Sequence, residues 1–298
     1  MEKLRSLQAL RAIAVLGVAL FHANGSFFTI GAAGVDLFFV VSGYIITRIS
    51  VGRQRSSFAW DRAWRIFPLY LVCSIVFLLF AGGQRSTCRE IATWTLLPIS
   101  CPPYLAIAWT LQFELLFYAL ATLCINRPKT LLTLIALLVM LGLIAPMGKV
   151  GSPMLLEFLA GALIARLPLS TEAGWSAIAL AFVLYCFALS HPESEWERAL
   201  RWGVPAACLV YGALSLERWF KPGWLVEVGN ASYSIYLTHL MVLGHASKIL
   251  SWPLALWAAL IVGLGTHWLI ERPLLRLKPH LPERLNLRGR GLSRSEAS

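Results

Sequence analysis

The sequence predicts an all-α fold, a polytopic bundle of about ten transmembrane helices with both termini in the cytoplasm, and three observations carry that prediction. Mean hydropathy is +0.68. Only 14% of the 298 residues are charged while 58% are hydrophobic, whereas an average soluble chain carries about 25% charged residues. Ten apolar stretches, 8–28, 34–50, 66–82, 104–125, 130–147, 153–168, 174–190, 203–217, 231–249 and 253–272, each approach the roughly 20 residues that cross a hydrocarbon core. The third observation is how the charge is sorted. With the N-terminus inside, 20 of the 26 Lys and Arg fall on the inner face, and only Arg85, Arg89, Lys149, Arg198, Arg201 and Lys248 fall outside. That asymmetry follows the positive-inside rule.

The elements follow in order. Strict apolar–polar alternation is absent, which argues against a β-barrel and leaves helices as the way to satisfy the backbone in lipid. The first stretch carries Arg11 and His22 and no small-residue cleavage site, so it reads as a retained span. Stretches 34–50, 153–168 and 203–217 are short or carry polar groups. Three connections have character: 48–65, inner and basic; 83–103, outer, with Cys88 and Cys101; and 191–202, outer, with Glu193, Glu195 and Glu197. Residues 1–277 form one membrane domain, and the basic tail 278–298 is expected to be disordered in the cytoplasm. No internal repeat is evident, which weighs against inverted-repeat transporters. Cys73, Cys124, Cys186 and Cys208 lie in spans as small hydrophobes. Cys88 and Cys101 allow either a structural disulfide or free thiols. No metal-ligand spacing occurs, so no metal is expected. The net charge of +11 records topology and contact with membrane lipids, not a nucleic-acid partner.

Arg11 and His22 are the most informative pair. Eleven residues make three helical turns, so both side chains share one face, about 20° apart and roughly 16 Å apart along the axis. Ionisable groups at membrane depth face a bundle interior or a wet cavity. His22, in the outer half, is the side chain suited to accept a proton near neutral pH; a helix-packing histidine is the alternative. Asp36 opens the second span near its N-terminus, where a helix dipole favours a carboxylate. It approaches the level of His22, either to orient the imidazole or simply to cap the helix. Arg62 and Arg65, spaced i, i+3, make a phosphate fork or mark the inner face. Thr110, Glu114 and Tyr118 form a polar stripe, and Glu114 at that depth needs a proton or a positive partner. Glu157 enters the sixth span. Ser232, Tyr236 and His239 share a face, with His239 and His245 reading as packing residues; His267 and Glu271 read as a structural i, i+4 pair.

With those residues in view, the chain resembles the acyltransferase-3 family of integral membrane acyltransferases, and within it the short exopolysaccharide O-acetyltransferase type. The stretches LQALRAIAVLGVALFHA, GAAGVDLFFVVSGYII, DRAWRIFPLY, AWTLQFELLFY, LLEFLAGALIA, GNASYSIYLTHL and the closing ERP carry the resemblance in order from about residue 7 to 273. It implies an acetyl-CoA-dependent O-acetyltransferase of the bacterial cytoplasmic (inner) membrane. The donor substrate is cytoplasmic acetyl-CoA or another acyl-CoA, with no permanently bound cofactor; the acceptor is a polysaccharide or a lipid-linked sugar precursor. His22, Asp36 and Glu114 are the catalytic candidates, His22 as general base or transient acyl carrier. Arg11, Arg62 and Arg65 are the substrate-binding candidates, with Arg62 and Arg65 expected at the CoA phosphates. The alternative is a proton-coupled transporter or flippase for a polar or glycan substrate, since buried ionisable groups suit either.

Overall fold

A computed structural model describes residues 4–81, 86–145, 147–221 and 223–279. Among the described residues there are fourteen α-helices and no strand: α1 (Arg5–Asn24), α2 (Gly34–Ser50), α3 (Arg55–Ala81), α4 (Thr87–Thr95), α5 (Trp109–Leu123), α6 (Pro128–Ile144), α7 (Leu155–Ile164), α8 (Thr171–Cys186), α9 (Glu195–Arg198), α10 (Val204–Ser215), α11 (Trp224–Asn230), α12 (Ser232–Ala246), α13 (Trp252–Thr266) and α14 (Arg272–Arg276). Each of the ten apolar stretches overlaps at least one of these helices. The segments Arg5–Asn24, Thr29–Ser50, Arg55–Phe80, Ala106–Leu123 and Trp252–Arg276 are long and apolar enough to cross a membrane. The stretch 153–168 forms a helix only over Leu155–Ile164, about 15 Å at 1.5 Å per residue. All but Lys278 and Pro279 of the tail expected at 278–298 lies outside the described residues.

Helix α1 is the hub, packed by α2, α10, α11, α12 and α13. Its small residues Ala12, Ala14 and Ala19 are buried, which lets five neighbours approach one helix. Helices α2 and α7 cross in close backbone contact. A Cβ at Gly43 would overlap the Phe158 carbonyl, and one at Gly161 would overlap the Val40 carbonyl. Phe158 stacks between Phe39 and Phe117, with centroids 4.6 and 4.7 Å away, and so links α7 to both α2 and α5. By contrast Phe80, Ile144, Phe187, Trp257 and Leu269 are fully exposed on the outside of the bundle. Such a belt has no partner among the described residues and suits lipid. The protein is an integral membrane protein.

Two π-turns interrupt the helices, Ala199–Gly203 between α9 and α10 and His267–Glu271 between α13 and α14. Each adjoins a buried polar cluster, and such turns re-aim side chains at functional sites. At one end of the bundle a disulfide joins Cys88 to Cys101, with Cα atoms 5.9 Å apart, resolving the two options left by the sequence. Arg62, Arg65, Arg272 and Arg276 gather around one cavity elsewhere in the bundle.

Candidate active site

Two cavities lie side by side inside the bundle. The larger, about 690 Å³, is lined by Arg11 from α1, Ser42 from α2, Arg62 and Arg65 from α3, and Thr110, Glu114 and Tyr118 from α5; Arg272 and Arg276 of α14 close its basic end. The smaller, about 240 Å³, is lined by Phe21 and His22 from α1, Trp109 from α5, His191 and Arg198. Val35 and Tyr236 line both. The Arg11 and His22 face of α1 thus borders both, with arginine in the large cavity and histidine in the small one.

The arginines differ in how far they are already engaged. Arg65 donates to Glu271 at 2.5 Å, and Glu271 also accepts from Ser234 at 2.6 Å and faces His267 Nδ1 at 2.7 Å. Arg65 is therefore held as part of a buried network. Arg62 makes no ion pair among the described residues and its Nε is buried without a partner. Its guanidinium lies 6.0 Å from the Phe58 and Tyr118 ring centroids, a weak hold. Arg11 donates to Gln8 at 3.2 Å. Two lightly engaged guanidiniums on a cavity wall are placed to take an anion. Glu114 accepts from Tyr118 and from Ser42 at 3.2 Å. Those hydroxyls, not an arginine, are its hydrogen-bond partners, and Thr110 bonds Tyr236 Oη at 2.9 Å.

His22 is defined by its Nδ1. That atom lies 2.9 Å from the Val18 carbonyl and 3.2 Å from His239 Nε2. A carbonyl can only accept, so Nδ1 carries the proton. Nε2 then holds the lone pair, and it has no hydrogen-bond partner among the described residues. An unprotonated Nε2 on the wall of a cavity can take a proton or attack a carbonyl.

The expected pairing of Asp36 with His22 is not formed. Asp36, wholly buried, accepts two bonds from Arg198, at 3.0 and 2.8 Å, and Arg198 also donates to the Ala32 carbonyl at 3.2 Å. A bidentate guanidinium binds a carboxylate more strongly than a neutral imidazole does, and it takes both oxygens. Arg198 is flanked by the Trp109 and Trp202 rings, 5.7 and 5.0 Å from their centroids. Asp36 thereby fixes a wall of the small cavity. Glu157 is buried against Gly203, with both carboxyl oxygens unbonded among the described residues. The neighbour that His22 has instead is His239, which the sequence pattern assigns to packing. Its only signal was the shared face with Ser232 and Tyr236.

An acyltransferase domain signature matches residues 4–272. The exopolysaccharide production protein ExoZ of Rhizobium meliloti (strain 1021) is 34% identical over 306 residues, covering 86% of this chain and 94% of that protein. The O-acetyltransferase OatA of Staphylococcus aureus (strain NCTC 8325 / PS 47) is 35% identical over 82 residues, 24% of this chain and 14% of that protein. No solved structure matches. A signature across nearly the whole chain and a relative similar along its length lead to one assignment: the chain belongs to the acyltransferase-3 family of integral membrane acyltransferases.

Proposed function

We propose that the protein is an O-acetyltransferase that moves acetyl from cytoplasmic acetyl-CoA to a hydroxyl of an exported polysaccharide or its lipid-linked precursor. The observation that carries the reading is the pair of adjoining cavities, one lined by arginines and the other by His22 with its free Nε2. The bundle crosses the membrane ten times with the arginine end in the cytoplasm. Charge sorting supports that orientation, and a disulfide at Cys88–Cys101 suits an oxidising exterior.

Arg62 and Arg11 engage CoA phosphates in the large cavity, while Arg65 keeps the wall in place through Glu271. The pantetheine arm passes Tyr236 and brings the thioester to His22. Nε2 takes the proton of the acceptor hydroxyl as its oxygen bonds to the thioester carbonyl carbon. The C–S bond breaks, and the departing CoA thiolate takes the proton back from Nε2. Ester, CoA thiol and neutral imidazole remain. A covalent route through the same nitrogen, with an acyl-imidazole between two transfers, differs by leaving labelled acetyl on the protein when no acceptor is present.

The test uses the full-length protein in vesicles with labelled acetyl-CoA and a glycan extract. Label is expected on glycan only when both substrates are present. Absence of any CoA binding would instead favour the transporter or flippase reading, which has no use for a CoA site. OatA and ExoZ, by their names, support acetylation and an exopolysaccharide setting.

A further inference from the structure

We infer that His239 is the positioning residue for His22, doing with a neutral imidazole what a carboxylate does in a catalytic triad. The inference deepens the acetyl-transfer reading and rests on it. His239 of α12 is completely buried, and its Nδ1 lies 2.6 Å from the carbonyl of Tyr236, three residues earlier. That carbonyl accepts only, so the proton of His239 is on Nδ1 and its Nε2 is bare. The bare nitrogen lies 3.2 Å from Nδ1 of His22. His22 therefore donates from Nδ1 to two acceptors at once, the Val18 carbonyl and His239. The ring centroids are 5.0 Å apart and tilted by 55°, which suits an edge-to-edge hydrogen bond and not a stack.

Two consequences follow. The pair fixes the tautomer of His22, because a proton on Nε2 would leave Nδ1 with a lone pair facing two acceptors. It also fixes the ring about its χ2, since Val18 lies on the same helix while His239 comes from α12. When Nε2 receives the acceptor proton, the imidazolium keeps Nδ1–H between the same two acceptors, and no proton has to leave toward His239. Asp36, which the sequence offers either for this task or as a helix cap, is taken by Arg198. The anchor of His239 is itself fixed: the Tyr236 hydroxyl, held by Thr110 and the Ile107 carbonyl at 2.9 and 3.2 Å, secures the residue whose carbonyl orients His239.

The experiment compares His239→Leu and His239→Gln with wild type in acetyl-CoA-to-glycan transfer, using His22→Ala as the reference for loss of chemistry. Removing the acceptor is expected to lower kcat roughly 10- to 100-fold, part of the factor a well-placed base supplies, with KM for acetyl-CoA within about twofold. Gln, whose carbonyl oxygen accepts a hydrogen bond, is expected to restore most of that loss. Equal activity of wild type and His239→Leu, or a KM effect alone, overturns the inference. If His22→Ala is fully active, His22 has no part in the chemistry and the inference falls with it, whereas a wild-type protein that puts no label on glycan defeats the acetyl-transfer reading itself, a distinguishable result. A measurement on the wild-type protein stands apart from variant folding. With 15N-labelled histidine, the nitrogen shifts should place one proton on Nδ1 of both His22 and His239. A protonated Nε2 on neutral His239 would overturn the inference whatever the variants do.

Discussion

At the scale of single residues, the two sets of ionisable groups are expected to fail differently. Arg62 has an unpartnered buried Nε and no ion pair among the described residues, so Arg62→Gln should leave thermal stability alone. It should raise KM for acetyl-CoA about tenfold, the worth of one charge-assisted contact. Arg65→Gln should instead lower the melting temperature, because it strips Glu271 of its cation. Asp36→Asn is expected to destabilise the protein by about 3–5 kcal/mol, the usual cost of breaking a buried pair and leaving one charge unmatched. Thermal unfolding in detergent separates these outcomes. An Asp36→Asn protein that melts like wild type but has lost transfer would return Asp36 to catalysis. The register of Arg11 with His22 was legible because it depends only on local helical period. The partners of Asp36 and His22 were not, since Arg198 and His239 lie 162 and 217 residues away in the chain and only the packed fold brings them near.

At the scale of elements, the position of α2, which lines the large cavity, depends on how closely it meets α7. Gly161→Ala would set a methyl against the Val40 carbonyl, and overpacking of this kind costs about 1–3 kcal/mol. Gly244→Ala faces open space and should cost nothing. A clear drop in melting temperature for the first variant alone is the expected result, with transfer activity falling as α2 shifts. Apolar periodicity located a helix overlapping each of the ten stretches, but it overstated the seventh helix, α7, which ends after Ile164. Hydropathy cannot distinguish a short helix buried by neighbours from one that meets lipid, because both are apolar. The π-turns at Ala199–Gly203 and His267–Glu271 had no sequence signal of their own.

At the scale of the whole molecule, the proposed orientation would put CoA and the acceptor on opposite sides. In a background without the free cysteines Cys73, Cys124, Cys186 and Cys208, Cys88 and Cys101 should react with an impermeant maleimide from outside after reduction. A Gln54→Cys variant should react only when the inner face is opened. Reaction of both from one side would contradict the orientation. Acetyl transfer turns on His22, whose imidazole, with a free Nε2, lines the small cavity beside the arginine-lined one. Its most direct test is transfer of labelled acetyl to glycan by His22→Ala alongside its affinity for CoA. The expected result is loss of transfer by at least about a hundredfold with CoA affinity unchanged; transfer at the wild-type rate would contradict it.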